Sequence, residues 1–506
     1  LRLEKGKLKL KLTECHALSK DNNGIADFTA EDISISNKNL SLVDYGLLTP
    51  ASKIRGSISI LFDSFSNFNP FSDLVNFNTE FKASEISVKE LASFIPTLAK
   101  SELIRKYSSD GIRLDGKISG PINKLQGQSI QLRLGKSFSY NGKFELNNVT
   151  KKEETNISLR VESLLATSKI LTDLIPSLGR LSNFYKLGQI TYKGNVDGSL
   201  KDFVAYGILN SSLGYSKVDV HLNTEKGIEK ATYRGEVELI DFDLRRWTDD
   251  PNFGTITLLA RITDGSGLKG STASAKLETN IKRFEYKEYD YANIDFKGAL
   301  NKQLLDGTLS INDPNAKLHF EGKIDFTGVI PQYNFKTDIA ALDLYKINLT
   351  KKPLSFSGLV DFNLKGKKLD DVQGTLVLSQ MKIKSDSVIN EFNNFNLVSE
   401  VNSNSNHTIS VRSDWVDGYI DGVYSISKVW PSLKDQLIRQ FPDIAHSLKL
   451  NKSNLGDTVI NQRYKFNLDI KEVSALRDLA HIKIESKPFH IEGNVVDLEN
   501  YMLASW

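Results

Sequence analysis

The sequence predicts a mostly β chain: an elongated, repetitive antiparallel sheet curled into an open trough, taco-like or solenoid-like, with short amphipathic helices at the repeat junctions. Three observations predict it. Apolar and polar residues alternate through most of the 506 residues, the period of two that marks a strand with one dry and one wet face. One phrase is copied: Leu91-Ala-Ser-Phe-Ile-Pro-Thr-Leu98 returns as Leu171-Thr-Asp-Leu-Ile-Pro-Ser-Leu178, and in degenerate form as Val429-Trp-Pro-Ser-Leu433. The strand openings that follow are copied as well, as Leu114-Asp-Gly-Lys-Ile-Ser-Gly120 and Tyr192-Lys-Gly-Asn-Val-Asp-Gly198. Self-similarity at a fixed period is the mark of an array whose units bury their apolar faces against neighbours.

The clearest strands, in order, are Leu8–Leu12, Ile130–Leu134, Val218–Leu222, Leu318–Phe320 with Ile324–Phe326, and Val360–Leu364. Asn141-Gly142, Asp197-Gly198, Asp306-Gly307, Asp417-Gly418 and Asp421-Gly422 read as turns between strands. Helical stripes interrupt the alternation from about Val88 to Tyr107 and from about Leu164 to Tyr185, with Pro96 and Pro176 expected in the first turn of each main helix. Trp430, Leu433, Leu437, Phe441, Ile444 and Leu448 form a third stripe, which Pro442 should kink. Shorter helical pieces are expected near Leu244–Asp249, Leu342–Ile347 and Val473–Ala480.

A second ruler runs through the chain. The pattern apolar-x-x-x-x-apolar-x-apolar begins at Phe81, Leu159, Val237 and Phe335, and more loosely at Phe466. It divides the chain into a β segment (1–80), two helix-plus-strands repeats (81–158 and 159–236), a β repeat (237–334), a β repeat with an amphipathic helix near 428–448 (335–465), and a partial repeat (466–506).

Composition narrows the function. Sixty-five basic and 62 acidic residues leave a net charge of +3, a mixed surface with no field that favours nucleic acid. The single cysteine, Cys15, excludes an internal disulfide framework and a multi-cysteine metal site. No apolar run approaches the ~18 residues that would cross a bilayer as a helix. The chain opens Leu1-Arg-Leu-Glu-Lys-Gly, already in strand rhythm, and reads as an excerpt from a longer protein.

Motifs that suggest chemistry do not hold together. Gly265-Ser-Gly-Leu-Lys-Gly270 has the glycines of a dinucleotide fingerprint, but Ser271-Thr-Ala-Ser-Ala-Lys-Leu follows as strand instead of the helix that would hold a pyrophosphate. Asp414, Asp417 and Asp421 lack the spacing of a calcium loop and read as turn chemistry. The seven histidines, at 16, 221, 319, 407, 446, 481 and 490, show no ligand spacing and read as structural. Cys15 and His16, adjacent in a strand, point to opposite faces, which disfavours a nucleophile–base pair. No enzyme, metal or cofactor is expected.

The succession apolar-x-Gly-x-apolar-x-Gly-x-apolar occurs through Leu114–Leu132, through Tyr192–Leu209 and more loosely through Phe356–Leu378. With the Ile-Pro-Ser/Thr-Leu junctions and the segment Ala292-Asn-Ile-Asp-Phe-Lys-Gly-Ala-Leu300, it resembles the TamB/AsmA-like proteins of Gram-negative envelopes. The resemblance covers nearly the whole chain and rests on strand grammar. It implies a trough with an apolar inside that spans the periplasm, anchored in the inner membrane by an N-terminal helix. It also implies a role in phospholipid transport and outer-membrane biogenesis, with an Omp85-class barrel of the TamA or BamA type as partner. The chain departs from the pattern at both ends, where the anchor helix and the C-terminal barrel-binding module of the family are not recognisable.

On this reading the groove that holds phospholipid is lined by Ile130, Leu132, Leu134, Phe144, Leu146, Val218, Val220, Leu222, Leu318, Phe320, Ile324, Phe326, Phe362, Leu364, Leu376 and Leu378. The alternative is a scaffold or assembly factor, whose apolar faces seal against each other and whose outer surface binds proteins.

Overall fold

In the computed structural model the described residues are 2–4, 7–18, 27–67, 73–94, 102–149, 151, 154–176, 178–181, 183–269, 271–385, 388–401, 406–429, 431, 438, 442–443, 462–472, 488–498 and 501–505. The chain divides into two compact units, residues 1–251 with 255–273, and residues 252–254 with 274–506.

The first unit holds β1 (Arg2–Glu4), β2 (Lys7–Leu18), β3 (Asp27–Ser36), β4 (Asn39–Leu48), β5 (Lys53–Leu61), β6 (Asn76–Ser87), β7 (Gly111–Pro121) and β8 (Lys124–Leu134). It continues with β9 (Phe138–Asn147), β10 (Asn156–Thr167), β11 (Gln189–Ser199), β12 (Asp202–Ser211), β13 (Gly214–Asn223), β14 (Thr232–Asp243) and all but two residues of β15 (Phe253–Ser266). The second unit holds β16 (Ser274–Tyr286), β17 (Tyr289–Asn301), β18 (Leu304–Asp313), β19 (Ala316–Asp325), β20 (Gln332–Asp343), β21 (Leu354–Lys365) and β22 (Gln373–Ser385). It ends with β23 (Val388–Val401), β24 (His407–Ser413), β25 (Val416–Val423), β26 (Arg463–Ile470), β27 (Phe489–Leu498) and β28 (Tyr501–Ser505).

Within each unit every strand pairs antiparallel with the next in sequence, as short connections require. Among the described residues no pairing joins β1 to β15 or β16 to β28, so neither sheet closes into a barrel.

The strands are bent by design. Asp44, Ala83, Ser129, Asp241 and Gln380 adopt positive φ, each at or beside a register shift that inserts one extra residue. Such bulges increase the local twist and bend the strand. The amide that a bulge orphans is collected by the neighbouring strand. Asp44 N donates to Ser57 Oγ at 3.0 Å, Ala83 N to Asp115 Oδ2 at 2.8 Å, and Asp241 N to Thr257 Oγ1 at 3.0 Å.

The bulges also explain the second ruler. An extra residue in a period-two strand turns an even apolar spacing into an odd one, which gives the five-residue step from Phe81 to Ile86 and from Leu159 to Leu164. The strands β6, β10, β14 and β20 that carry the ruler are each 12 residues long.

Helices begin where the long strands end. Residues α1 (Val88–Phe94) and α2 (Glu102–Lys106) follow β6, α3 (Ser168–Leu174) follows β10, and α4 (Leu244–Thr248) follows β14. Thr167 caps α3 by accepting from Ile170 N, and Asp243 caps α4 by accepting from Arg246 N at 2.9 Å. Pro176 does not start the helix. It follows Ile175, which leaves the helical conformation before the proline and ends α3, and 3₁₀ turns at Leu178–Arg180 and Phe184–Leu187 complete the junction. The expected helix at Leu342–Ile347 is a turn after β20. Pro96, all six residues of the Trp430–Leu448 stripe and Val473–Ala480 lie outside the described residues.

The junctions are tied along one end of the strands. The Glu90 carboxylate of α1 accepts from the Thr49 hydroxyl at 2.5 Å, from Ala51 N at 2.9 Å and from the Ser52 hydroxyl. Asp173 of α3 accepts from Lys106 Nζ at 2.5 Å and Tyr107 OH at 2.7 Å. Burial works to raise the Asp173 pKa, and these two donors more than offset it, so it lies below the usual carboxylate range. Burial and the bond to Asp173 push the Tyr107 phenol up to about 12.

The Asx-Gly pairs expected as turns lie inside β9, β11, β18 and β25 instead. At Gly142, φ is +157° and a Cβ would sit 2.1 Å from the Arg160 carbonyl oxygen. The close approach of the next strand demands glycine there, as a turn would have done.

Candidate functional site

Strand register assembles the candidate surface. Residues directly opposite across an antiparallel pair share a face, and following the pairs across the first unit traces continuous rows. One runs Leu114, Leu132, Tyr140, Leu164, Tyr192, Leu209. The next runs Ile118, Gly127, Phe144, Leu159, Val196, Ala205, Val220. Between them lie Ile130, Gly142, Val161, Gly194, Gly207 and Val218. In the second unit Leu309 faces Phe320, Phe335 faces Phe362, and Phe362 faces Leu376.

The middle row explains the apolar-x-Gly grammar. The Tyr192 ring lies over Gly194 two residues on, with its hydroxyl donating to Asn195 O at 2.9 Å and Tyr206 O at 3.1 Å. Tyr140 covers Gly142 in the same way and donates to Lys143 O at 2.7 Å. An aromatic laid across a strand glycine restores the contact that the missing side chain would have made. Burial pushes both phenols up to about 12.

Each groove candidate from Ile130 to Leu378 falls on this apolar face except Phe326. Its strand, β19, ends at Asp325, and the ring lies beyond it, 47 % exposed and edge-on to Tyr333 at 5.9 Å. Ile130 is the most enclosed, 2 % exposed at the centre of a cluster with Tyr140, Val161 and Tyr192, against which Leu132, Phe144 and Val218 pack. Leu134, Leu146, Val220, Leu222, Leu318, Phe320, Ile324, Phe362, Leu364, Leu376 and Leu378 are half-buried.

The opposite face is wet and paired across strands. Arg261 Nη2 meets Glu236 at 2.6 Å, Lys297 meets Glu278 at 2.7 Å, and Lys323 meets Asp306 at 3.1 Å, each pair directly opposite in register. Exposed pairs of this kind contribute about 0–1 kcal/mol each, and their main effect is to fix register.

Sequence reasoning missed one polar pair on the apolar face. Ser399 of β23 and His407 of β24 are 2 % and 3 % exposed, with Oγ 2.7 Å from Nε2. The Ser399 proton goes to Val372 O at 2.5 Å, so Nε2–H donates to Oγ, and Nδ1 has no partner among the described residues. Tyr424 stacks on the ring at 5.5 Å, and burial holds the imidazole below its ordinary pKa. A serine whose proton is committed to a backbone carbonyl, out of reach of solvent, is a packing element. The eight-residue separation across a hairpin carries no motif that could have found it.

The other chemistry-bearing residues are engaged locally. The Asp414 carboxylate accepts from Asn393 N and Asn394 N, Asp417 from Ser413 N, and Asp421 from Thr408 Oγ1. His16 contacts Asp27 at 2.9 Å, His221 contacts Asp202 at 2.7 Å, His319 contacts Ser310 at 2.8 Å and His490 contacts Asp469 at 2.6 Å. His446 and His481 lie outside the described residues. Cys15 shares the apolar face with Ala30, and His16 points the other way. Of the Gly265–Gly270 segment, Gly265 and Ser266 end β15 and residues 267–269 follow it. Among the described residues no group of three or more His, Cys, Asp or Glu could hold a metal ion, and no helix is long and apolar enough to cross a membrane.

One depression joins opposite ends of the strands. Arg180, from the junction after β10, lines a hollow of about 390 Å³ together with Lys226–Lys230 and Lys269. Residues 226–230 connect β13 to β14 and Lys269 follows β15, both at the far end of the strands from α3. No family model matches this chain, and no curated protein or solved structure matches it either.

Proposed function

We propose that this chain is a passive apolar conduit for phospholipid in a Gram-negative periplasm, moving lipid between the inner and outer membranes during outer-membrane biogenesis. In this reading the two sheets curl into trough segments of a longer protein, which is anchored in the inner membrane and meets an Omp85-class barrel of the TamA or BamA type. The resemblance to the TamB/AsmA-like proteins supplies the setting, and the apolar face supplies the mechanism.

A lipid chain of roughly 15 methylenes carries on the order of 12 kcal/mol of hydrophobic cost in water, at ~0.8 kcal/mol each. A face of alternate strand residues removes much of that cost without a chemical step.

One observation carries the reading: the apolar rows extend across many strands of each unit, interrupted in the second at Thr337, yet most of their side chains remain half-buried. A scaffold with sealed interiors would take them out of solvent, as core side chains are. Native mass spectrometry of gently purified protein tests the choice. Co-purifying phospholipid, displaced by Leu222→Lys or Phe320→Lys, is the expected result. A lipid-free chain that also fails to take up added phospholipid would end the conduit reading in favour of the scaffold.

A further inference from the structure

The hollow that joins Arg180 to the loops at the far end of the strands is cationic. Arg180, Lys226 and Lys230 form no ion pair among the described residues, while Lys269 is matched by Glu229 at 2.6 Å. Arg180, Lys226 and Lys230, all three exposed, therefore line one depression with the Lys269–Glu229 pair. Their placement is built into the backbone. Gly227, at φ +85°, turns the chain between the lysines, and its amide donates to Thr224 O at 2.9 Å. Leu268 N donates to Ile228 O at 2.9 Å and Gly267 N to Ala231 O at 2.8 Å, locking the two loops together. Ile228 is 9 % exposed and Ala231 fully buried, which anchors the loop from below.

Like charges held together in a fixed frame repel one another, and an anion relieves that repulsion. A tetrahedral phosphate suits the arrangement because its oxygens accept charge-assisted hydrogen bonds from several directions, the guanidinium binding through two of them. A hollow of about 390 Å³ accepts a phosphate with its ester groups and lies within the size range of small-molecule sites.

We propose that this hollow binds the phosphate of an anionic phospholipid headgroup at the rim of the apolar face. The inference rests on the conduit reading and adds a headgroup preference to it. The apolar rows hold acyl chains whatever the headgroup. The Arg180 site retains lipids with net negative charge over zwitterionic ones, in which a choline or ethanolamine cation would meet the lysines.

The test uses the whole 506-residue chain with short-chain monomeric lipids, dihexanoyl phosphatidylglycerol and dihexanoyl phosphatidylcholine, and with inorganic phosphate, followed by calorimetry. The expected result is phosphatidylglycerol binding about tenfold tighter than phosphatidylcholine, the scale of one charge-assisted contact. Arg180→Gln with Lys226→Gln and Lys230→Gln should bring the two lipids level by weakening phosphatidylglycerol the more, and leave the melting temperature unchanged. Lys226→Arg with Lys230→Arg should keep the preference. Inorganic phosphate should bind about tenfold more weakly than the anionic lipid, since it has no acyl chain to bury. A preference that survives the triple substitution overturns the proposal, as does inorganic phosphate binding as tightly as phosphatidylglycerol. If neither lipid binds the unmodified chain, the conduit reading falls. If both bind equally, the conduit stands and the headgroup site alone falls.

Discussion

Placing a lysine on the apolar face separates an open surface from a sealed one, and the structure supplies its own control. Ile130 is 2 % exposed and packed among Tyr140, Val161 and Tyr192. A lysine there loses the burial of isoleucine, about 1.5–3 kcal/mol, and strands an ammonium that must be desolvated or neutralised at a further cost of several kcal/mol. The expected destabilisation of the first unit is on the order of 5 kcal/mol, enough to unfold a marginal region. Leu222 sits on the same face between Phe203 and Tyr233 but is only half-buried. Lysine there can lay its methylenes over those rings and carry its charge to water, so the expected cost is about 1 kcal/mol, a shift of a few degrees in melting temperature. Calorimetry of the two variants, with capture of fluorescent phospholipid as a second readout, completes the measurement. Leu222→Lys should fold and bind lipid poorly, whereas Ile130→Lys should not fold. Equal destabilisation by both would mean that the face around Leu222 is covered, and the argument for an accessible apolar surface would fail.

Two further predictions concern the sheet itself. Gly194→Ala should cost about 3 kcal/mol or more, because φ is +155° and the new Cβ would sit 2.2 Å from the Tyr206 carbonyl oxygen. Gly111→Ala, whose Cβ would meet nothing within 4 Å, should stay within about 0.5 kcal/mol, and a denaturant titration of both variants checks the contrast. The second concerns acidification. Burial lowers the His407 pKa in the fold, so the unfolded chain takes up a proton that the folded chain refuses. Stability of the second unit should therefore fall as pH drops through about 6.5. His407→Phe should flatten that slope between pH 7 and 5 in a series of thermal melts. A slope unchanged by the substitution would assign the acid sensitivity to other groups.

The faces of the strands were legible because a period of two is written directly into the residues. Leu318-His-Phe320 and Val360-Asp-Phe-Asn-Leu364 could be assigned to one side without a structure. The bends were not legible. Asp44, Ala83, Ser129 and Gln380 are chemically unlike one another, and their left-handed conformation is imposed by an extra residue in the ladder, with no signature of their own. Their trace is the odd spacing from Phe81 to Ile86. Read forward, that spacing serves as a ruler. Its cause becomes visible only when the partner strand shows which residue is unopposed. The Asx-Gly pairs misled for a related reason, since glycine is needed both where a chain reverses and where a neighbouring backbone comes within about 2 Å of the space for a Cβ. His407 and Ser399 were invisible because a buried pair across a hairpin depends on which residues face each other.

The reach of the junction after β10 bears on how Arg180 meets the loops at the far end of the strands. From Thr167 to Arg180 the chain passes through the seven residues of α3, a short connection and a 3₁₀ turn. At 1.5, ~3.3 and ~2.0 Å per residue, these span at most about 26 Å. A flat strand of 12 residues, such as β10 or β14, is about 40 Å long, and the 10 residues of β13 about 33 Å. Yet Arg180 shares a hollow with the loop between β13 and β14 at the far end of those strands. The flexible side chains of Arg180 and of the lysines cover the rest of that distance, and the bulges and strand glycines are where the backbone can bend to shorten it. In the proposed trough, curvature would link the enclosed cluster around Ile130 to the cationic hollow. Bending toward the apolar face would crowd its central side chains, leave those nearer the ends half-buried, and bring Arg180 closer to the Lys226 and Lys230 loop.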